Sequence, residues 1–142
     1  MEFGIMEDYA VRMVLYLSKN PEKIATRQEI SQAMQIPLTV VARIGQTLEA
    51  SGIVEIHRGK KGGYKLRKPP EKITLLEVLE SLIGRISINK CVDNPKFCVR
   101  EGICPVNIIW KDINEKFRKL LKIDFKTLLE MEAPLIKEKG AL

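Results

Sequence analysis

Three cysteines, Cys91, Cys98 and Cys104, are the residues of this sequence best suited to chemistry, with six residues between the first two and five between the last two. Three is an odd number, and no export signal is evident, so a metal or redox site is favoured over a disulfide framework. The closely spaced cysteine pairs of zinc sites and ferredoxins are absent from this pattern. Thiolates around a larger group, such as an iron–sulfur cluster, are therefore favoured. Redox-active thiols, zinc and inert packed thiols remain alternatives.

A second chemical feature is a run of basic residues without an acid between positions 58 and 68. Its six cations equal the whole formal net charge of +6. Such a patch attracts polyanions by releasing their counterions, although a solvated basic loop is an alternative. The run lacks the spacing of a phosphate-binding P-loop, and a strand rather than a helix is predicted after it.

Apolar spacing predicts three short helices before this run. The first covers residues 6–19, the second follows a capping box formed by Thr26 and Glu29, and the third extends from Pro37 to Ser51. Two short alternating segments, 53–57 and 64–66, then flank the basic residues and predict a β-hairpin. Three helices followed by a basic hairpin describe a winged helix-turn-helix, in which the third helix enters the major groove of DNA.

The candidate DNA contacts come from these elements. Outward positions of the third helix can reach base edges, the start of the second helix offers free N–H groups to a phosphate, and the hairpin contacts the backbone or minor groove. Glycines at the hairpin tip are expected to allow its close approach to DNA. The predicted contacts are Thr26, Arg27, Gln28, Thr39, Arg43, Gln46, Arg58, Lys60, Lys61 and Tyr64.

The second half of the chain is predicted to be helical around the cysteines. A helix over residues 74–84 begins with another capping box, formed by Thr74 and Glu77. Residues 89–105, the cysteine loop, show little periodicity, and a long amphipathic helix follows over 106–121. Asp124 is expected to cap a last short helix ending at Met131, with a loose tail from Pro134.

The sequence resembles the Rrf2 family of bacterial winged-helix transcription regulators, of the IscR and NsrR type, over residues 5–131. The resemblance lies in Asp8-Tyr9-Ala10-Val11, in the Arg58-Gly59-Lys60-Lys61-Gly62-Gly63-Tyr64 wing, in Ile73-Thr74-Leu75-Leu76-Glu77-Val78, in the three cysteines and in Trp110-Lys111-Asp112. It implies a mainly α fold with a small β-hairpin wing, that is, a winged helix-turn-helix plus a long dimerisation helix.

The resemblance also implies a homodimer that binds palindromic, double-stranded promoter DNA. Its interface would lie on the long helix, at Val106, Ile109, Trp110, Ile113, Phe117 and Leu120. A 2Fe–2S or 4Fe–4S cluster would be held by Cys91, Cys98 and Cys104. Two departures stand out: the first cysteine interval is one residue longer than usual, and Asn107 replaces the histidine ligand of the IscR type. Asp8 is then the candidate fourth ligand, reaching across the dimer as in NsrR-like members, or it is simply a carboxylate at a helix N-terminus.

These observations predict three segments: a DNA-binding domain (1–68), a linker helix with the cysteine loop (69–105), and a dimerisation helix with its tail (106–142). The chain is expected to be a cytoplasmic transcription regulator, with a repressor among the predicted roles, and neither an enzyme nor a membrane protein, since no apolar run is long enough for a membrane span. A cluster-free thiol-redox regulator and a basic protein–protein adaptor are the alternative functions.

Overall fold

The computed structural model describes residues 2–140; Met1 and the last two residues, at the outer ends of the predicted first and last segments, lie outside it. Within that range the fold is mainly helical with one two-stranded antiparallel sheet, as predicted. No described helix is both long and apolar enough to cross a membrane. The elements are α1 (Ile5–Lys19), α2 (Arg27–Met34), α3 (Leu38–Ala50), β1 (Val54–His57), β2 (Gly63–Leu66), α4 (Leu75–Ile83), α5 (Lys90–Asp93), α6 (Pro105–Leu120) and α7 (Phe125–Lys139), with short 3-10 helices at Pro70–Lys72 and Pro95–Phe97.

The main core forms where α1, α2 and α3 turn their apolar faces towards one another. Met13, Ile30 and Ile44 are fully or almost fully buried there, one from each helix. The start of α2 is set locally, because Thr26 and Glu29 form the predicted capping box. The Glu29 N–H donates to Thr26 Oγ1 (3.1 Å), and the Thr26 N–H donates to Glu29 Oε2 (3.3 Å). These bonds satisfy donors that a helix N-terminus otherwise leaves free.

The hairpin is attached to the helices at its second strand. β1 and β2 pair from Val54 with Leu66 to His57 with Gly63. Tyr64 also exchanges two backbone hydrogen bonds with Ala25, of 2.9 and 2.8 Å, just before α2. A Cβ on Gly63 would lie 2.2 Å from the Ala25 carbonyl oxygen, so glycine permits this close approach. Gly63 therefore allows β2 to pack closely against Ala25 within the protein. The close approach of the hairpin tip to DNA remains a prediction.

The start of α4 follows only part of the predicted capping box. The Glu77 N–H donates to Thr74 Oγ1 at 3.1 Å, as expected. The Glu77 carboxylate, however, accepts a hydrogen bond from Lys68 instead of returning to the Thr74 backbone. The prediction of a complete box was wrong, because a cation from outside the motif takes the carboxylate.

The last helix is longer than predicted. Asp124 caps it by accepting from the Thr127 N–H at 2.9 Å, but α7 then continues through Pro134 to Lys139. The prediction of a short helix with a loose tail was wrong. Proline removes one helical hydrogen bond, and Pro134 and its neighbours are exposed, so water can satisfy the freed carbonyl. Phe125, at the start of α7, is fully buried in the main core. Glu132, further along α7, pairs with Lys19 of α1 at 3.0 Å. These two contacts hold α7 against the first half of the chain.

Candidate functional site

The outward face of α3 carries the side chains predicted to read DNA bases. Thr39, Arg43 and Gln46 are all exposed, and their spacing of four and three residues places them on one face. The opposite face, with Val41, Ile44 and Leu48, is buried in the main core. The helix is therefore held rigidly from behind while its polar face stays available to a ligand.

The start of α2 is the predicted phosphate contact, and its three predicted residues differ in whether their polar groups are already hydrogen-bonded. Arg27 and Gln28 are exposed in the first turn. The Thr26 hydroxyl already accepts the Glu29 N–H as part of the cap. The arginine charge and the free N–H groups of this turn are suited to an anion, whereas Thr26 mainly orients the helix.

The wing presents its cations to solvent. Arg58, Lys60 and Lys61 are exposed on the turn between β1 and β2. Lys65, in contrast, lies within 3.4 Å of a Glu22 carboxylate oxygen. The exposed cations of the wing can contact a phosphate backbone without first breaking that ion pair.

Tyr64 lies inside the protein, unlike the other predicted DNA contacts. Its side chain is only 7% exposed, and its ring lies against Gly45 of α3. Burial raises the pKa of Tyr64 above its ordinary value, and the positive charges of Arg27 and Arg58 offset only part of that effect. The structure therefore gives Tyr64 a packing position that joins the wing to α3 and brings both arginines near one phenol.

The three cysteines line one small cavity between α5 and the start of α6, which we call the thiol cavity. Its volume is about 30 Å³, room for about one or two water molecules. All three thiols are free and half-buried. The remaining lining residues are Pro95, Arg100, Glu101 and Asn107. The fold thus brings together thiols that are up to thirteen positions apart in the sequence.

Cys104 is the cysteine whose surroundings favour the thiolate. It stands at the N-terminus of α6, where the backbone N–H of Asn107 contributes most to lowering the pKa of the thiol. Partial desolvation opposes this effect, while the Val106 N–H and the Arg100 side chain add to it, and the net pKa lies below the ordinary value. Thiolate is the form that ligates metals and acts as a nucleophile.

The donor set is chemically suited to an iron–sulfur cluster and poorly suited to a single ion. Among residues 2–140, no three side chains of the His, Cys, Asp and Glu types are grouped closely enough to hold one metal ion. Cysteine thiolates are the usual ligands of iron–sulfur clusters, so Cys91, Cys98 and Cys104 would hold such a group. Because a cluster is larger than the thiol cavity, the thiols would have to move apart to admit it. Val99 and Ile103 are exposed, which leaves this loop free of the packing that would prevent such a movement.

Two oxygen-bearing side chains border the thiols. Asn107, at the position of the histidine ligand implied by the resemblance, uses its amide to donate to the Cys91 carbonyl (3.4 Å). Glu101, which carries a carboxylate, also lines the thiol cavity. Glu101 was not among the site residues predicted from the sequence. Its position between Cys98 and Cys104 is the signal that would have identified it.

Asp8, the predicted fourth ligand, lies at a different place within one chain. Its carboxylate pairs with Arg12 at 2.7 Å, and Asp8 is among the residues that line a cavity of about 410 Å³ between α1 and α4. That cavity is lined by apolar residues such as Leu75 and Leu79 and by none of the cysteines. Asp8 therefore requires a second copy of the chain to become a ligand.

The predicted dimer face of α6 is largely open. Val106, Ile109, Ile113 and Leu120 are exposed apolar side chains on this helix. Trp110 and Phe117 are half-buried, and Phe117 packs against a second small core that contains Leu76, Leu79 and Ile86. An apolar row of this kind on a helix is typical of a surface that another protein covers.

Comparisons with known proteins agree with this architecture. The sequence profile of the Rrf2 family, described as "Iron-dependent Transcriptional regulator", matches residues 6–131. The chain is 23% identical to the HTH-type transcriptional regulator NsrR of Halalkalibacterium halodurans over 138 residues, which are 95% of this chain and 94% of that protein.

Two solved structures share the fold. CymR, the global cysteine regulator of B. subtilis, superposes with a TM-score of 0.76 at 22% identity, covering 92% of this chain and 98% of that one. T. potens IscR has a TM-score of 0.71 at 18% identity, covering 93% and 88%. The family profile spans nearly the whole described chain, the outward face of α3 is polar and exposed, and the wing is basic. This chain therefore belongs to the Rrf2 family and is a DNA-binding transcriptional regulator rather than an enzyme.

Proposed function

We propose that this regulator binds promoter DNA as a homodimer and that an iron–sulfur cluster on Cys91, Cys98 and Cys104 controls the binding. The observation that carries the proposal is that all three thiols of the chain line one cavity. The family description as iron-dependent supports it. When bound, a cluster would supply a centre that responds to redox state, nitric oxide or iron–sulfur supply. The protein would bind promoter DNA in the cytoplasm.

The exposed face of α6 supports the homodimer. Ile109 and Ile113 stand one turn apart and both face solvent. Pairing such faces about a two-fold axis gives a self-complementary interface. It would also place two α3 helices on successive major-groove half-sites of a palindrome. Contacts of the exposed α3 and wing residues with these half-sites are part of the proposal.

The fourth ligand of the cluster would be an oxygen. In the dimer we propose, Asp8 of the partner subunit takes this position, as predicted from the resemblance. Oxygen ligands are weaker partners of iron than thiolates, so the site would exchange this ligand readily. Glu101 is the competing donor, because it already borders the thiol cavity in the same chain.

Anaerobic purification followed by iron and sulfide analysis tests the proposal. We expect coloured protein with both elements, and promoter affinity that changes when the cluster is removed. Single Cys→Ser substitutions at the three positions should abolish the visible absorption. Val99→Ser, in the same loop and fully exposed, should leave it intact. Protein without iron or sulfide, with unchanged affinity after thiol blocking, would refute the proposal.

The fourth ligand is tested by two matched variants, Asp8→Asn and Glu101→Gln. Both remove a negative charge while keeping the size of the side chain. We expect Asp8→Asn alone to change the visible spectrum and shorten the lifetime of the cluster in air. The reverse pattern would assign the ligand to Glu101 and reject Asp8.

A cluster-free thiol switch is the second candidate function. One observation favours it: the lowered pKa of Cys104, which increases the fraction of reactive thiolate. In that case the protein would be colourless after reconstitution with iron and sulfide. Its promoter affinity would nevertheless change on mild oxidation, and Cys104→Ser would abolish that change.

A further inference from the structure

Two of the few polar side chains that this fold buries lie on one face of α6. Asn107 and Asn114 are 8% and 4% exposed. They are seven residues apart, which is two helical turns, and Arg118 follows one turn later. Burial of a polar group costs free energy unless a partner satisfies it. These side chains must therefore have partners opposite this face.

The partners are backbone groups of one short segment, residues 86–91. Arg118 Nη1 donates to the Ile86 carbonyl (2.9 Å). The Ile88 N–H donates to Asn114 Oδ1 (2.9 Å), and Asn107 Nδ2 donates to the Cys91 carbonyl (3.4 Å). The three bonds follow the segment in order, ending at the first cysteine. We name Asn107, Asn114 and Arg118 the polar ladder.

The other end of the ladder is joined to α4. Glu80 of α4 accepts hydrogen bonds from Arg118 and from the Ile86 N–H (2.9 Å). Burial raises the pKa of Glu80, but these bonds outweigh it and hold the pKa below its ordinary value, so the carboxylate stays charged. The Ile86 side chain is buried against Leu76 and Leu79 of α4. α4 in turn packs on α1 and α3.

We propose that the polar ladder is a positioning device that transmits displacement of Cys91 to α4 and from there to the DNA-reading helix. The rest of the cysteine loop is largely exposed and can absorb a local movement. Residues 86–91 are instead tied to the buried side chains of Asn107 and Asn114. Moving the segment would therefore break hydrogen bonds to groups that have little access to water. The role in regulation rests on the proposed function, in which the thiols separate around a cluster. The mechanical link itself does not.

The link is testable without iron. In a full-length Cys98→Ser/Cys104→Ser background, Cys91 is alkylated with N-ethylmaleimide, whose adduct is too large for a cavity of about 30 Å³. Amide hydrogen exchange of α4 is then compared with and without the adduct. We expect exchange in α4 to rise at least about five-fold on alkylation when the ladder is intact. In an Asn114→Leu variant the adduct should leave α4 unchanged.

Two controls separate coupling from mere stability. Asn94→Leu makes the same substitution at an exposed position of the cysteine loop and should retain the response. Asn114→Asp keeps an oxygen that accepts the Ile88 N–H and should also retain it. If Asn114→Leu does not fold, Asn107→Ala removes the rung next to Cys91 and should abolish the response in its place.

Two results would overturn the proposal: an α4 response of the same size in Asn114→Leu, or no α4 response with the ladder intact. Neither depends on a cofactor. A protein that never binds iron but shows the expected exchange pattern would reject the cluster and keep the ladder. A coloured protein in which alkylation of Cys91 leaves hydrogen exchange in α4 unchanged would keep the cluster and reject the ladder.

Discussion

Gly45 is the position where the addition of one methyl group should disturb the packing between the wing and α3. It lies in α3 directly beneath the Tyr64 ring. A methyl group added there would lie 2.2 Å from Tyr64 Cε1 and 3.0 Å from Cδ1 and Cζ. Carbon atoms prefer separations of about 3.5–4.0 Å. The ring cannot simply turn away, because it is buried and because both the backbone N–H and the carbonyl of Tyr64 are hydrogen-bonded to Ala25.

The magnitude follows from two opposing effects of Gly45→Ala. Alanine in a helix interior is favoured over glycine by about 1 kcal/mol. Overpacking a tight core costs about 1–3 kcal/mol. We therefore expect Gly45→Ala to lower the free energy of unfolding by up to about 2 kcal/mol. Tyr64→Leu removes Cε1 and Cζ and leaves only the 3.0 Å contact with a Cδ1 that can rotate away, so in that background the same substitution should stabilise the protein by up to about 1 kcal/mol.

Urea denaturation at one fixed protein concentration measures this as a double-mutant cycle. Tyr64→Phe is the matched control, because it keeps the clashing ring atoms and should leave Gly45→Ala destabilising. Affinity for the promoter should fall in Gly45→Ala, since displacement of the ring shifts α3 against the wing. If Gly45→Ala stabilises the protein equally in the native and Tyr64→Leu backgrounds, the assigned contact is wrong.

Three further predictions concern the charged and thiol groups. Replacing Lys60 and Lys61 by alanine should weaken binding to specific and unrelated DNA alike and reduce the slope of log affinity against log salt by about two, measured by fluorescence anisotropy; an unchanged slope would place the wing away from the phosphates. Arg43→Ala should weaken the free energy of DNA binding by about 1–3 kcal/mol and relax base preference at one position, measured by competition with operator variants. If base preference is preserved, α3 is not the helix that reads the bases. In iron-free protein, alkylation of Cys104 should reach half its maximal rate at a lower pH than in the urea-unfolded chain, because the lowered pKa leaves more thiolate at a given pH. Arg100→Gln should move that midpoint upward, and coincident folded and unfolded profiles would contradict the assignment.

Much of the DNA-binding half was predictable because its signals are local. The capping box at Thr26 depends on groups three residues apart, and it forms as predicted. The basic turn between two short alternating strands is a hairpin. The exposure of Arg43 and Gln46 follows from helical spacing alone. Tyr64 was the exception, since no local pattern shows that its ring would enter the space left by Gly45.

Around the cysteines, sequence alone supplied the chemistry and tertiary structure supplied the arrangement. The number and spacing of the three thiols identify a metal or redox loop from the sequence. That they line one cavity, with Glu101 beside them, depends on how α5 packs against α6. The hydrogen bonds of the polar ladder join Cys91 to Asn107, Ile88 to Asn114 and Glu80 to Arg118, which are 16, 26 and 38 positions apart. Periodicity and capping act within a turn or two of chain, whereas contacts of this length depend on which faces meet once the whole chain has packed.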